Sequence, residues 1–272
     1  MQAQPELEKE RKTHDSRTMA AAPQTTSSDT LYEGAVSLRQ PARGYRVNVD
    51  ALLLAAFAAQ GRPAKFAIDL GSGVGSVALG LQHLGAARCF ALVEREQDLL
   101  TLAGENAERA GLNAQLWCVD LAEGLPSGLR QRADLVVCNP PFFDPTQTRP
   151  SREPGKASAR FGDLEPFLAA AAAAVSGART RVAFVYPARE LNGFLAAAGR
   201  VHLVPKRLRL VHADANSSAR VALLELRRAK PGGLEVLPPL FEWHSKGVRT
   251  PELERVIAGA ALSVTPRAGG RK

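Results

Sequence analysis

Long apolar runs are missing from this 272-residue sequence. No window approaches roughly 18 unbroken apolar residues, so no segment reads as a membrane-spanning helix. The opening stretch, MQAQPELEKERKTHDSRT, lacks the apolar core of a signal peptide, and a cytoplasmic protein is expected. Cysteine is scarce. Cys89, Cys118 and Cys138 have neither zinc spacing nor an even count, and each lies within or beside an apolar run. They are expected as small buried hydrophobes in a reducing compartment. The five histidines (His14, His83, His202, His212 and His244) form no ligand pair, so no metal is expected.

What is present is ample material for a core, with 45% hydrophobic residues and 23% charged ones. The net charge of +8 is unevenly placed. Residues 148–272 carry 21 basic against 10 acidic side chains, whereas residues 31–147 carry 10 against 12. A basic second half suits contact with a polyanion, although an arginine-rich composition with solvated surfaces would give the same count. Residues 1–30 are charged and rich in Ser and Thr, and are expected as a disordered polar tail.

The stretch Asp134-Leu-Val-Val-Cys-Asn139-Pro140-Pro141-Phe142-Phe143 is a strand that runs into two prolines. Such a strand cannot pair onward, so the chain must leave the sheet there as a stiff loop. At the carboxyl end of a strand in an open α/β sheet, that loop stands where ligands bind. Its groups suit transfer to a weakly nucleophilic amine conjugated with a ring. The Asn139 amide oxygen and the Pro140 carbonyl can accept the two N–H bonds, and Phe142 can stack on the base. A kinked turn with Phe142 in the core is the structural alternative.

Earlier in the chain, Phe66–Leu70 reads as a strand leading into Asp69-Leu-Gly71-Ser-Gly73-Val-Gly75. Glycines there let the backbone approach a ligand, and the next helix offers free N–H groups. The spacing is Gly-x-Gly-x-Gly rather than the dinucleotide pattern. The acid before the first glycine would repel a pyrophosphate but suits the sulfonium and ammonium of S-adenosylmethionine. A second strand, Cys89–Val93, ends in Glu94, where an acid can accept both ribose hydroxyls. A third, Leu116–Val119, ends in Asp120, which can receive an adenine amine. Each acid alone is more often a solvated strand end or helix cap than a ligand; together, ahead of Asn-Pro-Pro-Phe, they point to one site.

The remaining pattern is an arm over 31–46, a helix from Val49 capped by Asn48, and a helix near Gln97–Ala110. The loop from Asp144 to Gly162 carries Arg149, Arg152, Lys156 and Arg160 and is expected to grip nucleic acid. A helix over Leu164–Val175, a strand over Val182–Tyr186 and a helix over Ala188–Ala198 follow. Two closing strands lie in Val201–His212 and Arg220–Arg228, and a last helix starts after Thr250. This alternation predicts an α/β fold, a mostly parallel doubly wound sheet with an antiparallel edge hairpin. Residues 31–262 are expected to form one domain, with 263–272 as a basic tail.

The glycine motif followed by Asn139-Pro140-Pro141-Phe142 resembles the class I S-adenosylmethionine-dependent methyltransferases that modify exocyclic or amide nitrogens. The sequence is more similar still to the bacterial tRNA(Val) adenine-N6 methyltransferase family. That similarity rests on Gly44-Tyr-Arg-Val-Asn-Val-Asp50-Ala-Leu-Leu-Leu-Ala, Arg207-Leu-Arg-Leu-Val-His212 and Gly247-Val-Arg-Thr-Pro251-Glu252. The resemblance implies a Rossmann-like seven-stranded sheet, S-adenosylmethionine as cofactor and tRNA as partner. It places Asp69, Gly71, Gly73, Gly75, Glu94, Asp120 and Asn139 around the cofactor. It places Asn139, Pro140, Pro141 and Phe142 at the target base, and Asp50 and Arg46 at the mouth of the pocket. Three rivals stay open: methylation of a protein glutamine, methylation of RNA guanine at N2, and a silent RNA-binding module. Glutamine methyltransferases usually add an N-terminal helical substrate domain, whereas a polar tail and one arm precede the helix at Val49.

Overall fold

The computed structural model describes residues 25–43, 47–141 and 164–262. It opens with an antiparallel hairpin of β1 (Thr26–Leu31) and β2 (Val36–Pro41), turned through Tyr32–Gly34. Residues 26–30, expected within the polar tail, form most of strand β1. Three of the strand's polar side chains are paired within the hairpin. Ser27 and Gln40 both donate to the Asp29 carboxylate, and Arg39 donates to the Thr26 hydroxyl. Such pairing needs no apolar periodicity, which is why the composition reads as a tail.

Helix α1 (Val49–Ala58) is apolar all round and buried, as a central helix must be. Asn48 caps it, accepting from the Asp50 N–H at 3.0 Å. Strands and helices then alternate: β3 (Ala64–Leu70), α2 (Ser76–His83), β4 (Ala87–Glu94), α3 (Gln97–Arg109), β5 (Ala114–Cys118) and β6 (Leu135–Cys138). After the described chain resumes come α4 (Glu165–Ala174), β7 (Arg181–Pro187) and α5 (Leu191–Arg200). Then follow the long pair β8 (Val204–His212) and β9 (Ala219–Arg227). Four short strands precede the last helix: β10 (Glu235–Val236), β11 (Leu240–Phe241), β12 (Trp243–Ser245) and β13 (Val248–Arg249). Helix α6 (Pro251–Ile257) has Thr250 as its cap and proline in its first turn.

The main sheet has the order β10-β8-β9-β7-β6-β3-β4-β5, with β11 also on β8. Strands β3 to β7 run parallel and β9 runs against β7 and β8. Seven strands of four or more residues thus form the expected Rossmann-like α/β sheet with its antiparallel edge pair, and two two-residue strands extend it. Alternation along each strand feeds two cores. Ala67, Phe90, Leu92 and Val137 face α1, α2 and α3; Ile68, Val93, Val136 and Phe184 face α4 and α5.

Cys138 is buried as expected and Cys89 half-buried, but Cys118 is exposed. It ends β5, the edge strand of the sheet, and most of that strand's residues are exposed. No helix among the described residues is long and apolar enough to cross a membrane.

Candidate active site

Three neighbouring parallel strands, β4, β3 and β6, end together. In register, Asp69 lies between Leu92 and Val137, and Leu70 lies between Val93 and Cys138. Glu94 and Asn139 are the next residues of the flanking strands, so both emerge on the same edge as the glycine turn. The site is thus an outcome of strand register.

The turn itself needs its glycines. Gly71, Gly73 and Gly75 have φ of +70°, +54° and +84°, a region that L side chains adopt at a cost. Gly71 has a second constraint, since a Cβ there would sit 2.9 Å from the Phe167 ring on α4. The turn is then held down on β4. The N–H groups of Gly71 and Ser72 donate to the Val93 carbonyl at 2.8 and 3.0 Å. One Glu94 carboxylate oxygen accepts from the Gly73 N–H at 2.9 Å. The other accepts from Arg95 and Glu96 at 2.8 and 3.0 Å. Glu94 therefore joins the glycine turn to the start of α3, in a buried but fixed position.

Asp69 is 1% exposed and accepts from the Ala78 N–H, in the first turn of α2, at 3.3 Å. Gly75, at the cap position, has no side chain to do this, so the strand-end acid serves the helix instead. Burial is the main influence on its pKa, raising it; the Ala78 N–H lowers it and the Glu94 charge adds to the rise, leaving it at about 7. Burial, and next the charge of Asp69, push the Cys138 thiol well above its ordinary value. The thiol is thus held neutral and no nucleophile. The Ser72 hydroxyl, inside the turn, is buried without a hydrogen-bond partner among the described residues.

Asn139 is 9% exposed. Pro140 after it is buried and Pro141 exposed, so the chain turns out of the sheet within two residues. Asp120 stands apart from this group at the end of β5. It is exposed, and one of its oxygens caps the short helix Leu121–Glu123 through the Ala122 N–H at 2.9 Å. Asp50 is buried beside Arg220, with 2.7 Å between charged atoms, and Arg220 also holds Glu242 at 2.6 Å. Arg46, Phe142, Arg149, Arg152, Lys156 and Arg160 lie outside the described residues.

Two supporting residues belong to no sequence motif. Phe167 walls the glycine turn. Asn106 on α3 is fully buried and donates to the carbonyls of Arg39 and Val74 at 2.9 and 3.0 Å, while it accepts from the Arg39 N–H at 2.7 Å. It ties β2 to the glycine turn. Its one hint is a polar residue on the buried face of α3, among Leu102, Ala103 and Ala107.

Many of the second-half arginines bind the protein itself. Arg181 donates to the carbonyls of Ala58, Gln60 and Arg62 at the end of α1. Arg207 and Arg227 both pair with buried Glu225, and Arg209 pairs with Glu252. The raw charge excess thus overstates the cationic surface these strands offer.

The site's donor set fits S-adenosylmethionine. A buried acid precedes the turn, a second acid ends the next strand, and an orphan hydroxyl lies in the glycine turn between them. The family description "Methyltransferase small domain" matches residues 48–152, which run from the cap of α1 through the glycine turn to Asn139 and beyond. A curated relative in Flavobacterium psychrophilum, tRNA1(Val) (adenine(37)-N6)-methyltransferase, is 27% identical over 199 residues, covering 71% of this chain and 83% of its own. The protein of that name in Flavobacterium johnsoniae is 26% identical over 221 residues, covering 79% and 92%. A solved Agrobacterium tumefaciens structure described as a predicted O-methyltransferase has the same fold. Its TM-score is 0.60 at 21% identity, over 80% of this chain and 99% of that one. Sheet order, matched domain and relatives agree: residues 48–152 are similar to the methyltransferase small domain, and the sheet has the Rossmann-like fold of the solved Agrobacterium structure.

Proposed function

We propose that the chain methylates N6 of an adenine in RNA, and that its substrate is a tRNA adenine beside the anticodon, reached in the cytoplasm. The observation that carries this reading is Asn139, nearly buried at the end of β6 and one strand away from the glycine turn on β3. An amide there, followed by a proline carbonyl that has no N–H of its own, forms a pair of acceptors for an exocyclic amine. The curated relatives, named for adenine-N6 chemistry on tRNA, favour adenine over the guanine-N2 and glutamine alternatives.

Bound S-adenosylmethionine supplies an electrophilic methyl group on a sulfonium. Asp69 and the glycine turn hold the cationic methionine end, Glu94 takes the ribose hydroxyls, and Asp120 takes the adenine with the carboxylate oxygen that its helix cap leaves free. Asn139 Oδ1 and the Pro140 carbonyl accept the two N–H bonds of the target amine, which keeps its lone pair directed at the methyl group. They also stabilise the positive charge that grows on nitrogen. Pro141 fixes the turn, and Phe142 stacks on the base, which must leave its own stack to enter. No side-chain base is required before transfer, since the nitrogen becomes acidic only once alkylated.

The test is Asn139→Ala on unmodified tRNA. Turnover is expected to fall about a hundredfold or more, the usual cost of losing one transition-state hydrogen bond of this kind. Cofactor affinity should stay within about twofold. Near-normal turnover would remove Asn139 from the mechanism.

A further inference from the structure

The β12–β13 hairpin, Trp243–Arg249, is a part of the molecule with no role in the fold's interior. Trp243 is 37% exposed and Val248 53% exposed. The Arg249 guanidinium lies over the Trp243 ring at 5.9 Å, and Lys246 stands at the exposed turn. Neither cation pairs with a carboxylate among the described residues. The hairpin's base, by contrast, is fastened. The Trp243 N–H donates to Ala213 at 2.8 Å, the Thr250 N–H donates to Glu242 at 3.0 Å, and the Thr250 hydroxyl donates to Phe241 at 2.6 Å. Glu242 itself is buried and held by Arg220. A rigid stem thus presents an exposed aromatic and two free cations.

Its position follows from the sheet. Strand β8 runs in the same direction as β6 and β7, because both β7 and β8 oppose β9. The hairpin continues from β11, which is parallel to the end of β8 with Phe241 beside His212. It therefore rises from the same edge of the sheet as Asn139. Four strand steps separate β6 from β11, about 19 Å at the usual spacing. In register, Asn139 is level with Arg209, so His212 stands about 10 Å further out.

We propose that this hairpin is a stacking post for an unpaired base of the RNA whose target adenine enters at Asn139. An exposed indole flanked by cations is the surface that a single-stranded base and its phosphate recognise, and the separation suits a loop whose bases are splayed apart. The proposal rests on the RNA reading above.

Trp117 and Trp243 are the chain's two tryptophans, so Trp117→Phe leaves Trp243 as a single reporter. The protein would be titrated with an unmodified anticodon stem-loop RNA, with fluorescence and methyl transfer both followed. Trp243 emission should be quenched on binding. Trp243→Ala should raise KM for RNA about tenfold, within the range for one stacked base, with kcat and cofactor KM within about twofold. Trp243→Phe should recover most of the loss. If the wild type methylates the RNA while Trp243 emission and the Trp243→Ala KM are unchanged, the stacking role is wrong and the RNA reading stands. If the wild type neither binds nor methylates RNA, both fall.

Discussion

Asp69 is a carboxyl group whose folded environment opposes its ionisation. Its folded pKa of about 7 exceeds the unfolded value near 3.8. Between those values the native state holds a proton that the unfolded chain releases, so stability of the cofactor-free protein falls as pH rises through that window. Asp69→Asn should flatten the slope when Tm is recorded from about pH 4.5 to 7.5; an unchanged slope would mean that Asp69 ionises freely. A cationic ligand favours the carboxylate, so cofactor affinity should rise across the upper part of the same window in the wild type and not in Asp69→Asn. A titration calorimetry series reads this directly. The three glycines and two acids were legible because each is tied to a strand end within a few residues. Asn106 and Phe167 were not, since their meaning comes from contacts with Arg39, Val74 and Gly71 far away in the chain. Asn106→Ala would leave three backbone groups unpaired and should cost about 3 kcal/mol in urea unfolding. A cost below about 0.5 kcal/mol would contradict its role as the tie between β2 and the glycine turn.

Between elements, α2 fits closely against α1 and the turn of the first hairpin. A Cβ on Gly80 would lie 2.8 Å from the Ala55 Cβ and also clash with the Tyr32 hydroxyl. Helix propensity alone favours Gly80→Ala by about 1 kcal/mol. The packing is expected to win, because the Ala55 Cβ is on a helix backbone and cannot swing away. The variant should therefore unfold at lower denaturant than the wild type; a stabilised protein would show that the two helices are free to separate. At this scale the sequence was most readable where apolar strands alternate with helices bearing caps, as at Asn48 and Thr250. It was least readable at the two ends of the described chain. Strand β1 is polar and stabilised by its partner, and β10 to β13 are two or three residues long, too short for any periodicity.

For the molecule as a whole, the +8 charge concentrated after residue 147 suits a polyanionic substrate. Arg181, Arg207, Arg209, Arg220 and Arg227 are engaged within the fold, so the proposed RNA contact is left to other cations. Charge reversal at Arg149 and Arg152 is expected to weaken RNA binding and to reduce the slope of log Kd against log salt by about two. Equal affinity at low salt would exclude the 144–162 segment as an RNA contact. The central claim, adenine-N6 methylation of tRNA at Asn139, is tested most directly by incubating the protein with methyl-labelled S-adenosylmethionine and unmodified bulk tRNA. The RNA is then digested and the labelled nucleoside identified by mass spectrometry. N6-methyladenosine, absent when Asn139→Ala replaces the wild type, is the expected result. Label on guanosine, or none on RNA while a protein glutamine is labelled, would contradict it.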